Sequence, residues 1–220
     1  VDNFYNGSIS KSQKGWEISV ISVVDVSAHQ GYTLCVKQTA KTDRQPTPIA
    51  KKKRKSKSKS KAKTEPVISE RVKGYLEQLK IARAHLPAAV KYLTADSFYS
   101  KKAVVDGVVG LDLHFVFLVD QRNPDKQRVA LLFSTDTSID PLRLYEYYKS
   151  RFQIEFIFRD AKQFTGLCDC QSRQQQSLDF HFNASLAALN IAKLEQQKTQ
   201  SDTGEDSQPQ SFSMATYKRL

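Results

Sequence analysis

Residues 144–166, LYEYYKSRFQIEFIFRDAKQFTG, constrain the fold more than any other part of the chain. Wound as an α-helix at about 100° per residue, Tyr148, Arg151, Glu155 and Lys162 fall at roughly 0°, 300°, 340° and 320°. Arg159 joins them near roughly 20°, so the polar groups share one narrow stripe. Phe152, Ile154, Phe156, Ile157 and Phe158 cover most of the remaining circumference. A helix apolar nearly all round is a buried helix, so the pattern predicts a carboxylate flanked by cations, carried into or beside a core. Such groups are costly there unless they pair or bind a metal. The pattern alone leaves two readings: a buried structural ion-pair network, or a catalytic carboxylate presented by a rigid helix.

The 220 residues suffice for one sizeable core with appendages. The net charge of +11 is concentrated in Lys51–Lys63, KKKRKSKSKSKAK, which holds nine basic residues and no acid. Such a run is expected to be a disordered, solvated linker able to bind phosphate backbones without reading sequence, or a localisation-like tag. No apolar stretch reaches the ~18 residues of a membrane span, and the N-terminus lacks a signal-peptide layout. Cys35, Cys168 and Cys170 cannot all pair within one molecule, and Cys168-Asp169-Cys170 lacks the usual zinc spacing. They read as unpaired thiols of a protein in a reducing cytoplasm. His29, His85, His114 and His181 form no motif.

Taken in order, Val1 to Gly15 is polar and turn-rich. Trp16–Val26 and Tyr32–Gln38 then read as two strands of an antiparallel hairpin. Asp25, near the end of its strand, reads as an exposed or capping carboxylate. Ser69 is placed to cap a helix running to about Leu86, with Pro87 just beyond. Tyr92–Ala95 is a short buried strand ending at Asp96, and Lys101–Val109 a short helix. Leu113–Val119 and Val129–Phe133 are strands separated by the turn signal Asn123-Pro124-Asp125. Asp140 and Pro141 suit the N-cap and first turn of the main helix. A last helix is expected from about Ser177 to Gln197, followed by a disordered tail over 199–220. This order fits an α/β mixed sheet flanked by helices.

The spacing Tyr148-x2-Arg151-x3-Glu155-x6-Lys162 resembles the Tyr-Arg-Glu-Lys signature of DDE transposases of the insertion-sequence-four family. The surrounding RFQIEFIFRDAKQFTGL is similar to that family's flanking sequence, and YLTADSFYSKKAVVDGV resembles the segment carrying its second catalytic Asp. The likeness extends from Phe4 to Gln197. It implies a ribonuclease-H-like fold in which Asp96 and Glu155 are catalytic, metal-binding carboxylates. It also implies that Arg151 and Lys162 contact DNA phosphates, while Tyr148 bonds to or stacks on a DNA end. Intact relatives hold two Mg²⁺ ions about 3.5–4 Å apart for in-line attack on phosphorus.

Two departures from the family qualify these expectations. The first strand and its catalytic Asp have no counterpart here, since Asp2 and Asp25 stand in the wrong context. The segments resembling LHFV and VDQRNPDKQRVALLFSTD, separated by an insertion in the family, are almost fused at Phe115–Phe117. The resemblance therefore implies a truncated member: an incomplete catalytic domain over 1–198, with the basic linker 51–65 inside it, holding Mg²⁺ at most weakly. Its expected partners are transposon-end DNA and, through self-association, full-length transposase. A non-catalytic remnant that inhibits transposase, and a nuclease of the same fold, are the alternatives.

Overall fold

The computed structural model describes residues 2–6, 11–39, 68–122, 128–202 and 212–219. The basic run 51–65 and the Asn123-Pro124-Asp125 turn lie outside them.

Two strands, β1 (Asp2–Asn6) and β2 (Lys11–Gly15), pair antiparallel with Asp2 opposite Gly15. This ladder occupies the segment expected to be turn-rich. It lacks the β-branched content on which strand recognition from sequence depends.

The expected hairpin follows as β3 (Ile18–Asp25) and β4 (Gln30–Gln38). Asp25 caps its turn, Oδ1 accepting from the Ala28 N–H at 2.9 Å. His29 closes that turn in the left-handed region, at φ 49°. Ile21 pairs with Cys35 but Ser22 pairs with Thr33, so Leu34 is an extra residue in a bulge.

A separate three-stranded mixed sheet contains β5 (Tyr92–Ala95), β6 (His114–Arg122) and β7 (Arg128–Ser134) in that order. β5 and β6 are parallel, joined through α2 (Lys102–Val109), while β6 and β7 are antiparallel. Helix α1 (Glu70–Arg83) starts at Ser69, whose hydroxyl accepts from Val72 N–H. With α2 it buries Val72, Leu79, Val104, Val108 and Phe115 in one core cluster.

The 144–166 segment is not one helix. α3 (Pro141–Ser150) and α4 (Gln153–Phe164) are joined by a tightened link at Arg151 and Phe152. Four amides there bond i→i−3: Arg151 to Tyr148, Phe152 to Lys149, Ile154 to Arg151 and Glu155 to Phe152. Nor is the segment buried all round, because Phe152 and Phe156 are exposed. The face that packs is narrow, with Ile157, Asp160 and Ala161 buried.

The second core cluster joins α4 and α5 (Gln175–Asp202) to β4 through Val36, Ile157, Phe182, Leu186 and Leu189. A short helix, α6 (Met214–Tyr217), lies within the expected tail and buries Met214 in the same cluster. Phe212 and Tyr217 pack against that cluster beside Met214, so a few apolar anchors order a segment whose composition reads as tail.

Helix α5 also closes the outer edge of β4. Asn190 accepts from Thr33 N–H and donates to Thr33 C=O, at 3.0 and 2.7 Å. Asn183 does the same for Val36, at 3.2 and 3.1 Å. Asp179 accepts from Gln38 N–H, and the buried Lys193 donates to Gly31 C=O at 2.5 Å. Side-chain amides thus stand in for a neighbouring strand.

Candidate active site

The candidate site follows from where β5 ends and where α3 meets α4. Asp96 terminates β5 and caps the 3₁₀ turn Ser97–Tyr99, Oδ1 accepting from Ser97 N–H at 2.7 Å. Its side chain is exposed at the mouth of a cleft. Two adjoining hollows of about 480 and 260 Å³ form that cleft, sharing Ile21, Ser22, Leu93, Thr94, Arg151 and Ile154. Asp96 and Arg151 line the same hollow.

Arg151 comes from the α3–α4 link. Its guanidinium carbon lies 5.5 Å from the Tyr148 ring centre and 5.4 Å from that of Phe152. An Nη2 stands 3.7 Å from Glu155 Oε1, one turn along α4. The Arg151 side chain is 20% exposed and Glu155 56%. The Arg151 Nε–H is buried without a hydrogen-bond partner, a donor held ready for an acceptor that enters the cleft.

Glu155 therefore sits outside the core, contrary to the expectation from the helical wheel, and is not part of the cleft lining. The buried carboxylate of α4 is Asp160, paired with Arg159 at 2.9 Å. Desolvation lowers the pKa of Lys193, with Asp160 opposing that shift. Lys162 is exposed on α4 and Tyr148 is half-buried beside Arg151. Of the five predicted residues, Asp96 and Arg151 share the cleft, Glu155 and Tyr148 adjoin Arg151, and Lys162 lies further along the helix.

Exposed aromatic–cation pairs surround these residues. Lys101 lies 4.0 Å over Phe98, next to Asp96, and Arg159 lies 4.9 Å over Phe156, next to Glu155. Such pairs suit stacking on bases and contact with phosphates. Nothing in the sequence singles out Phe98 and Phe156, because an aromatic residue carries no local sign of being exposed.

One electrostatic tie fixes the cleft wall. The Tyr92 hydroxyl donates to Asp136 Oδ2 at 2.5 Å, and Ser138 donates twice to Oδ1. These bonds, that from Tyr92 foremost, hold the Asp136 carboxyl down at about 2, and the same bond pushes Tyr92 up to about 12. Burial pushes Tyr99, just past the other end of β5, up to about 12 as well.

A strand-end carboxylate thus lines the same hollow as the arginine of a helix-borne Arg–Glu pair, and an aromatic–cation pair lies next to each carboxylate. The family model for the transposase DDE domain matches residues 25–191. The chain belongs to that family, whose function is DNA transposition. No curated protein and no solved structure matches it. Among the described residues, no helix is long and apolar enough to cross a membrane, and the three cysteines are free.

Domains of this family use divalent metal ions. Among the described residues, no group of three His, Cys, Asp or Glu side chains is arranged to hold one. One Asp96 oxygen is engaged by Ser97 N–H, and Glu155 faces a guanidinium. That donor set does not fit a two-metal cage, which needs several carboxylate oxygens free to converge.

Proposed function

We propose that the chain is a transposase of the insertion-sequence-four type whose cleft faces transposon-end DNA. Intact relatives use Asp96 and Glu155 equivalents for metal-dependent strand cleavage and transfer. The observation that carries the reading is the cleft shared by Asp96 and Arg151, in which the buried Arg151 Nε–H lacks an acceptor. A phosphate oxygen would supply that acceptor, with the guanidinium giving further N–H donors. Lys162 adds an exposed charge for the backbone further along, and Tyr148 a ring beside the same phosphate. Residues 1–198 belong to one ribonuclease-H-like catalytic domain in this reading.

The lack of a third donor among the described residues favours a second element: DNA binding survives in this chain while chemistry does not, leaving a remnant that interferes with full-length transposase. The expected result is salt-dependent duplex binding that Arg151→Ala weakens by roughly 10- to 150-fold, in keeping with loss of a charge-assisted contact of ~1.5–3 kcal/mol. Transposon ends incubated with Mg²⁺ should stay uncut. Binding unaffected by Arg151→Ala would overturn the DNA-facing cleft. Robust Mg²⁺-dependent cleavage, abolished by Glu155→Gln, would overturn the remnant reading while leaving the family assignment intact.

A further inference from the structure

We infer that the outward face of α5 is a self-pairing surface, on which two copies of this chain join through antiparallel α5 helices about a two-fold axis at Ala187 and Ala188. The inference stands on the side-chain pattern of one helix and is independent of the DNA reading.

Helix α5 is apolar on two opposite faces. With Leu178 set at 0°, the buried Phe182, Leu186, Leu189 and Ala192 fall at roughly 40°, 80°, 20° and 320°. That face packs on Ile157 and Ala161 of α4 and on Val36 of β4. Phe180, Ala184, Ala187, Ile191 and Leu194 fall at roughly 200°, 240°, 180°, 220° and 160°, on the far side of the helix. Phe180, Ile191 and Leu194 are 76, 57 and 55% exposed. Ala184, Ala187 and Ala188 are exposed with them. The steps between the five seam residues alternate four and three, the spacing of a coiled-coil seam. A helix apolar on both sides needs cover on both.

The seam is complementary to itself. Turned antiparallel about Ala187 and Ala188, Phe180 of one copy meets Leu194 of the other, and Ala184 meets Ile191. A small residue thus faces a large one on each side of a central alanine layer, and the alanines let the helix axes approach to about 8 Å. Parallel pairing instead sets alanine on alanine at 184 and 187 and Ile191 on Ile191, which leaves the seam uneven. No charged side chain lies on the seam between Phe180 and Leu194, so two copies meet without repulsion. Over that span the rims carry His181, Asn183 and Asn190, not the Lys/Arg rows of a helix that lies on a membrane surface. Two such seams bury on the order of 1,000 Å², the low end for a specific contact, which suits a dimer that forms reversibly. Pairing here leaves the cleft open, because α5 flanks β4 while the cleft lies on the β3 side of the hairpin.

The test is sedimentation velocity of the full chain over a range of concentrations. Wild type is compared with Phe180→Lys, with Leu194→Glu and with an equimolar mixture of the two variants. The expected wild-type result is a monomer–dimer equilibrium with a Kd of roughly 1–100 µM. Each substitution alone weakens pairing by at least about tenfold. Both sites are exposed in the monomer, so far-UV circular dichroism and thermal unfolding stay unchanged. Mixing returns the affinity to within about threefold of wild type, because the new ammonium of one copy meets the new carboxylate of the other while native Phe180 and Leu194 meet at the opposite end. The charge-reversed set, Phe180→Glu with Leu194→Lys, repeats the reading. Loss without recovery on mixing means a parallel or different contact and overturns the antiparallel pair. Association indifferent to both substitutions places the contact elsewhere and overturns it equally. A chain that stays monomeric to about 500 µM also overturns it, whether the face then takes up another polypeptide or a lipid surface.

Discussion

The two sides of the β3–β4 hairpin meet opposite fates. On the β4 side, every outward backbone group described above is answered by a side chain of α5, through Asn183, Asn190, Asp179 and Lys193. On the β3 side, the equivalent groups face a cleft whose far wall is another unpaired edge, that of β5. An edge is a template for whatever backbone comes near. Edge closure here is thus local and chemical rather than a property of the sheet: polar side chains at 183 and 190 finish one edge. The functional candidates Asp96 and Arg151 lie where no such finish exists.

Stripping the finished edge puts this contrast under the greatest strain. Asn190→Leu leaves Thr33 N–H and C=O without partners and is expected to cost about 2 kcal/mol in urea unfolding. Asn183→Leu, at a more exposed position that water reaches, should cost about 1 kcal/mol, and the pair about 3. Losses near zero would mean that α5 only lies alongside β4. A smaller effect, opposite in sign, is expected on the open side. Ser22→Ala removes a buried hydroxyl that bonds to nothing and should be neutral or stabilising by up to about 1 kcal/mol. Destabilisation beyond that would show that the open edge is satisfied after all.

The smallest expected effect concerns the tie that holds β5 at the cleft. With its carboxyl held down at about 2, Asp136 contributes stability that is fully present above its ordinary value near 3.8. That contribution is lost as pH falls through about 2. Tyr92→Phe removes the main cause, so the Asp136 titration followed by carbon NMR should move up toward the ordinary carboxylate range. A titration unmoved by Tyr92→Phe would place the cause in Ser138 alone.

What was legible in the sequence was what local chemistry encodes. The 18–38 hairpin, the Ser69 cap of α1, the end of β5 at Asp96, and the Asp140–Pro141 start of α3 all follow from β-branched runs, capping residues and turn formers. The break at Arg151–Phe152 was not legible, because no glycine or proline marks it. The tightened bonds there lie between residues that each favour ordinary helix geometry. Exposure was also hidden: the helical wheel put Glu155 beside the core, whereas the packed face of α4 carries Asp160. The role of Asn183 and Asn190 depends on β4, about 150 positions earlier in the chain, and no local pattern records it. Asp96 is a cap, as its position alone suggests; its link to the site comes from the cleft it shares with Arg151 and from family likeness.

Residue-resolved hydrogen exchange of the free chain reads both edges in a single experiment. The Thr33 and Val36 amides, bonded to α5, are expected to exchange at least roughly 100-fold more slowly than those of Val20, Ser22 and Thr94, which face the cleft. Equal protection on both sides would contradict this, because the β3 and β5 edges would then already be paired.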